Sequence, residues 1–112
     1  MITKQVARDM EYCQLAADWL EENGWCQKQY YEGTWSNQPE TCCIAGALNF
    51  IQCGSATGGV SVAGWSSLMR RVQKATPSGS ISSHNDDEFM TKDKAIHFLR
   101  HAGVEKSRVR RE

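Results

Sequence analysis

Residues 41–48 read Thr-Cys-Cys-Ile-Ala-Gly-Ala-Leu, a run of small and apolar side chains. Thr41 can cap a helix that runs from about 42 to 53, because a threonine hydroxyl accepts a hydrogen bond from the first backbone N–H groups. The apolar side chains recur on one face of that helix, at Ile44, Leu48 and Ile51. Gly46 costs ~1 kcal/mol relative to alanine inside a helix, a cost usually tolerated for close packing. The stretch therefore predicts a short helix that another element approaches tightly.

Three more segments repeat apolar side chains at helical spacing. The clearest is the first, which is followed by Asn23-Gly24, a pair that ends helices in a left-handed turn. Its apolar stripe consists of Val6, Met10, Cys13, Ala17 and Leu20. Pro77 stops a later pattern, and Thr91 can cap the last one. The chain is therefore predicted to be mainly α, with about four helices at about 4–23, 42–53, 65–75 and 91–102.

The stretch between the first two predicted helices is rich in aromatic and turn residues. Residues 25–31 read Trp-Cys-Gln-Lys-Gln-Tyr-Tyr, and residues 37–39 read Asn-Gln-Pro. This pattern allows a short β-hairpin at that place. Because there is no internal repeat and no domain boundary, we expect one compact helical domain over 1–103, followed by a basic C-terminal tail over 104–112.

The charges balance, with 13 Lys and Arg against 13 Asp and Glu, so a polyanionic or polycationic partner is not implied. The balance hides an excess of base in the second half, at Arg70, Arg71, Lys106, Arg108, Arg110 and Arg111. The basic tail could contact nucleic acid, but it lacks the interleaved aromatic residues of many such surfaces. We therefore treat nucleic acid as a less favoured partner than protein.

The five cysteines bear on the compartment, since an odd number cannot form a fully paired disulfide framework within one chain. The sequence shows no secretory leader pattern, and no apolar run approaches the ~20 residues that span a membrane. We therefore expect a cytoplasmic protein without membrane contact, whose thiols stay reduced.

Two of these cysteines fall at the predicted start of the second helix, where the helix dipole favours a thiolate. Cys42 or Cys43 could then act as a nucleophile, with His84 as its base and Asn85 or Asp86 orienting the imidazole, in the order used by papain-like enzymes. The competing interpretation is that Cys42 and Cys43 are inert thiols packed in a tight core. A cysteine-dependent hydrolase or transferase therefore stands as the alternative function.

A zinc site is the second chemical possibility. Its ligands would be Cys26, Cys42, Cys43 and His84. The paired Cys-x-x-Cys pattern of zinc sites is absent, and adjacent helical residues point about 100° apart. The acidic run at 85–88 lacks the spacing of a calcium loop and suits the start of the last helix better. We therefore predict no metal and no cofactor.

Three short motifs resemble a known family: Trp-Cys-Gln at 25–27, Cys-x-x-Gly-Ala at 43–47 and Asn-Asp at 85–86. They resemble a family of small proteins of unknown function from actinobacteria and their bacteriophages, in which a tryptophan usually stands where this chain has His84. The family brings no established activity. The resemblance implies that the motif residues converge on one corner, namely Trp25, Cys26, Gln27, Cys43, Gly46, Asn85 and Asp86. It also implies a small accessory protein, in the host cytoplasm if phage-encoded.

The remaining candidates are aromatic residues in predicted loops, which commonly anchor protein–protein contacts. We therefore predict a non-enzymatic protein that binds and modulates a host or phage protein. The glycine-rich loop at 54–64 is predicted to add to the contact surface. The predicted binding residues are Trp25, Gln27, Tyr30, Tyr31, Trp35, Asn85 and Asp86.

Overall fold

The computed structural model describes residues 3–58 and 64–104. Its first helix, α1, spans Lys4–Asn23, as the periodicity predicts. The Thr3 hydroxyl caps it by accepting a hydrogen bond from the Val6 N–H at 3.1 Å. Gly24 ends it with φ 124°, a conformation that suits glycine.

A two-stranded antiparallel hairpin follows α1, at the place where the sequence allows one. Strand β1 is Tyr31–Glu32 and strand β2 is Thr41–Cys42, with Tyr31 opposite Cys42 and Glu32 opposite Thr41. Trp25 forms an isolated parallel bridge to Cys42. The two strands place the chain after α1 directly beside the start of the second helix.

That helix, α2, spans Ile44–Cys53 and begins two residues later than predicted. The prediction that Thr41 caps it is wrong, because Thr41 lies in β2 and its hydroxyl donates to Glu32 Oε1 at 2.8 Å. Cys43 is the cap instead, and its Sγ accepts a hydrogen bond from the Gly46 N–H at 3.2 Å. Gly54 ends α2 in the left-handed region.

Three helices complete the described chain: α3 at Trp65–Ala75, α4 at Ile81–Asn85 and α5 at Lys92–Ala102. The bounds of α3 are as predicted, and those of α5 differ by one residue. Helix α4 is a short helix capped by the Ser80 hydroxyl, and it lies between the third and fourth predicted helices, where the sequence predicts no helix. The described ranges therefore hold five helices where four were expected.

The core forms where α1 packs against α2, α3 and α5. Many of its side chains are small, which allows the helices to approach closely. The buried cluster comprises Cys13, Ala16, Ala17, Leu20, Cys42, Ile44, Ala47, Leu48, Ala56, Leu68, Val72, Ala95, Leu99 and Ala102.

Two predicted segments lie wholly or partly outside this description. Residues 59–63 of the predicted contact loop and residues 105–112 of the basic tail fall outside the described residues. In the two ranges that are described, no helix combines the length and apolar character needed to cross a membrane.

Candidate functional site

Asn85, the last residue of α4, is 1% exposed and joins three separate parts of the chain. Its Oδ1 accepts hydrogen bonds from the Trp25 Nε1–H at 2.8 Å and from the Ile44 backbone N–H at 3.0 Å. Its Nδ2 donates to the Cys26 carbonyl at 3.2 Å and to Asp86 Oδ1 at 3.0 Å. An amide has two donor hydrogens and two acceptor lone pairs, so all of the hydrogen-bonding capacity of this side chain is used internally.

The segment after α1 is fastened to the end of α4 by two more residues. Gln27 Nε2 donates to the carbonyls of Asn85 at 3.1 Å and Asp87 at 3.0 Å. The Asp86 carboxylate accepts the Lys28 backbone N–H at 2.8 Å. Lys28 has φ 68°, a conformation that costs energy for a side-chain-bearing residue, so this contact helps to hold a strained turn.

Gly46 provides the close approach that its sequence context predicts. A Cβ at this position would lie 2.0 Å from the Tyr30 carbonyl oxygen. The same carbonyl accepts the Cys43 backbone N–H at 3.0 Å. The hairpin backbone therefore rests directly on the first turn of α2, at a distance that only glycine allows.

The motif residues thus come together, as the resemblance implies. We call this set the Asn85 corner, and its members are Trp25, Cys26, Gln27, Cys43, Gly46, Asn85 and Asp86. They join elements up to 60 residues apart in sequence through hydrogen bonds within the chain. The geometry of the corner is that of a structural junction between the hairpin, α2 and α4.

Of the two interpretations of Cys42 and Cys43, their burial favours packed thiols over an activated thiolate. Burial raises the pKa of the Cys43 thiol to about 11, although the Gly46 N–H donates to its sulfur and lowers that pKa in part. Burial likewise raises the pKa of Cys42 to about 12. The loss of solvent around these sulfurs therefore outweighs the favourable helix dipole.

The predicted set of Cys43, His84 and Asn85 is not assembled for catalysis either. The His84 ring packs edge-on against Phe98, with 4.7 Å between ring centroids, and lines a groove of about 560 Å³. Cys43 lines a different cavity, of about 180 Å³. The Asn85 amide is bound to Trp25, Ile44 and Cys26 rather than to the imidazole.

Cysteine labelling follows directly from these pKa values. At neutral pH a raised pKa leaves less thiolate, so Cys13, Cys42 and Cys43 should react with iodoacetamide far more slowly than a free thiol. The half-buried Cys53 should label first in the folded protein. Peptide fragment masses taken over time, with a urea-unfolded control, measure each site. Rapid labelling of folded Cys43, with a pH midpoint below the ~8.5 of a free thiol, would contradict this account.

The proposed zinc ligands also do not form a site. Within residues 3–58 and 64–104, no group of three or more His, Cys, Asp or Glu side chains converges as a metal ion would require. Cys26 is buried, and its Sγ lies 3.7 Å from the Gln29 carbonyl oxygen, a long contact typical of a thiol donor. A side chain of the acidic run at 85–88 binds the backbone nearby: Asp87 Oδ1 accepts the Phe89 N–H at 2.8 Å.

The predicted loop aromatics divide into two groups. Trp35 is 63% exposed and Tyr30 is 48% exposed, so both are available for contact. Tyr31 and Trp25 are half-buried and pack against the core.

Sequence reasoning misses two features of the surface and one of the interior. Phe89 is 70% exposed and Leu15 is 40% exposed, yet neither stands out from its local pattern. The helical pattern places Asp9 on the solvent side of α1, but it is 1% exposed. The hydrogen-bond partner of Asp9 is Ser67, 58 residues later in the chain, so no local sequence signal could have predicted the burial of Asp9.

Comparison with known proteins gives one result. Neither the search of curated proteins nor the search of solved structures found a significant match. The profile that does match spans residues 5–105, nearly the whole chain, and confirms the predicted membership of a family without assigned function. The chain belongs to the Family of unknown function (DUF6197).

Proposed function

We propose that this protein binds another protein and modulates it without catalysing a reaction. The contact is made by the exposed aromatics of the hairpin, with Trp35 at its centre. The family resemblance suggests a phage or actinobacterial setting, so the proposed partner is a host or phage protein in the host cytoplasm.

The observation that carries the proposal is an exposed indole on a fixed loop. Trp35 is 63% exposed, and its carbonyl accepts the Gln38 N–H at 3.0 Å. The next residue, Ser36, is tied to the chain after α2, because its carbonyl accepts the Ala56 N–H at 2.9 Å. The Ser55 hydroxyl also donates to Ser36 Oγ at 3.0 Å.

A loop held in this way loses little conformational entropy when it binds, so more of the contact energy appears as affinity. Tryptophan is among the residues that most often dominate protein–protein binding energy. The exposed indole of Trp35, on a loop held by these hydrogen bonds, is therefore the residue that we place at the centre of the proposed contact.

Tyr30 extends this surface towards a groove. Its side chain borders a cavity of about 180 Å³ beside Asn85 and Asp86, and another of about 280 Å³ beside Trp65. Partner side chains could enter the groove next to the exposed ring. In this proposal Trp25 and Gln27 hold the hairpin in place rather than touch the partner.

The variant Trp35→Ala tests the proposal. Removing a central indole should weaken the partner complex by about 2 kcal/mol or more, which is roughly thirtyfold in Kd. The partner is first captured on tagged wild-type protein from actinobacterial lysate, and the Kd is then measured calorimetrically with purified components.

Two controls make this result specific. Phe89→Ala removes another exposed aromatic ring, from the segment between α4 and α5, and its Kd should stay near that of the wild type. Cys43→Ser keeps an oxygen that can accept the Gly46 N–H, so the fold should persist with binding intact. Unchanged binding by Trp35→Ala, or a loss confined to Cys43→Ser, would refute the proposed contact.

A further inference from the structure

Another cavity, of about 320 Å³, opens among side chains of α1, α3 and the end of α5. Three cations of α3 line it, namely Arg70, Arg71 and Lys74. Its apolar lining includes Val6 and Ala75. This cavity lies outside the Asn85 corner and shares no lining residue with the two cavities beside Tyr30.

Asp9, the acid that lines this cavity, is hydrogen-bonded to neutral side chains rather than paired with the three cations. Asp9 Oδ1 accepts a hydrogen bond from Gln5 Nε2 at 2.8 Å, and its Oδ2 accepts one from the Ser67 hydroxyl. Among the described residues, the ion pairs are those of Arg100 with Asp18 and Glu21. The three cations of α3 therefore form no ion pair with the described part of the chain.

Arg71 also has unused hydrogen-bonding capacity. Its Nη1 lies 3.5 Å from the Ala102 carbonyl, a long and weak contact. Its Nε is buried and has no partner among the described residues. The weak contact to Ala102 is the one hydrogen bond that the guanidinium makes within the described residues, so its Nη groups have donor capacity left for an oxygen-rich ligand in the cavity that Arg71 lines.

We propose that this cavity binds a phosphoryl group, either inorganic phosphate or the phosphate of a small monoester. A phosphate offers several oxygens to a guanidinium fork, which can bind two of them at once, and the Lys74 ammonium adds a third positive charge. The volume exceeds what one tetrahedral anion fills, and the apolar wall gives an organic group a surface to pack on. This site is independent of the aromatic contact surface.

The test is a titration of the ¹⁵N-labelled protein with inorganic phosphate, with ionic strength kept constant by NaCl. Saturable amide shifts in α3 are expected for the wild type. Lys74→Gln should weaken binding roughly tenfold, since it removes one charged contact. Lys92→Gln, the same change at an exposed lysine of α5, should leave the Kd unchanged. Arg70→Gln provides a second variant on an exposed side chain, with an expected loss similar to that of Lys74→Gln.

Glycerol phosphate and a single-stranded oligonucleotide are titrated in parallel. Saturation by phosphate and glycerol phosphate with equal Kd supports a site for the free anion, and tighter binding of the ester supports a site for a phosphorylated small molecule. Shifts that NaCl alone reproduces would overturn the proposal. Binding of the oligonucleotide alone, falling steeply with salt, would also overturn it in favour of a nucleic-acid surface.

Discussion

Asn85→Ala is expected to destabilise the protein by about 3 kcal/mol or more. The substitution leaves the Trp25 indole N–H, the Ile44 N–H and the Cys26 carbonyl without their shared partner. Each buried group that loses its partner costs ~1–3 kcal/mol. Urea unfolding followed by tryptophan fluorescence measures the loss.

The matched control is Asn23→Ala. The Asn23 amide makes one exposed hydrogen bond, to the Trp19 carbonyl, so its removal should change stability by about 0.5 kcal/mol or less. Asn85→Asp adds a second comparison, because it keeps the acceptor oxygens but loses the donors and places a charge beside Asp86. If Asn85→Ala cost no more than Asn23→Ala, the corner would not be the junction described above.

Gly46→Ala is expected to cost about 3 kcal/mol, at the upper end of the range for overpacked sites. In most helix interiors this substitution stabilises by ~1 kcal/mol, so the sign itself is informative. Here the new methyl would meet the Tyr30 carbonyl oxygen at 2.0 Å, and a backbone atom cannot simply rotate away. The hairpin must move off α2, which also breaks the bond from the Cys43 N–H to that carbonyl.

Gly54→Ala separates this steric effect from backbone strain. Gly54 has φ 82°, and no atom lies within 4 Å of the place that an alanine methyl would take, so alanine there meets strain alone, about 1–2 kcal/mol. Urea unfolding of both variants gives the comparison. A Gly46→Ala protein as stable as the wild type would contradict the close contact between hairpin and helix.

The parts of the fold that sequence predicts are those fixed by local chemistry. Helix α1 carries its apolar stripe within its own residues, and its stop signal, Gly24, follows it directly. Helix α4 escapes prediction because its five residues carry no apolar repeat. Its last residue, Asn85, is bonded to residues about 60 positions away, and such contacts leave no periodic pattern.

The start of α2 shows how distant pairing overrides a local rule. Thr41 and Cys43 could both cap the helix, and threonine is the better cap by propensity. Because β2 pairs with β1, Thr41 lies in the sheet, and Cys43 is the residue that caps α2. The same limitation affects the pKa of the Cys43 thiol. The sequence nearby can place Cys43 at the start of a helix, but the burial that raises its pKa depends on the whole fold.

The candidate site could be predicted only in part. The family resemblance predicts that the motif residues lie together. The hydrogen bonds around Asn85 that bring them together are seen only in the structure. Trp35 is exposed, and its role in a contact stays a prediction. The cationic cavity is not predictable from sequence, because Arg70 and Arg71 suggest a surface patch until α1 and α5 are placed beside them.

Hydrogen exchange of the tryptophan indole N–H groups tests the central claim most directly, namely that the Asn85 corner is a rigid support for an exposed aromatic surface. NMR can follow each indole proton separately in the wild-type protein. We predict that Trp25, bound to Asn85, exchanges about a hundredfold more slowly than Trp35, and that Asn85→Ala removes this protection. Equal exchange rates for Trp25 and Trp35 in the wild type would contradict the account.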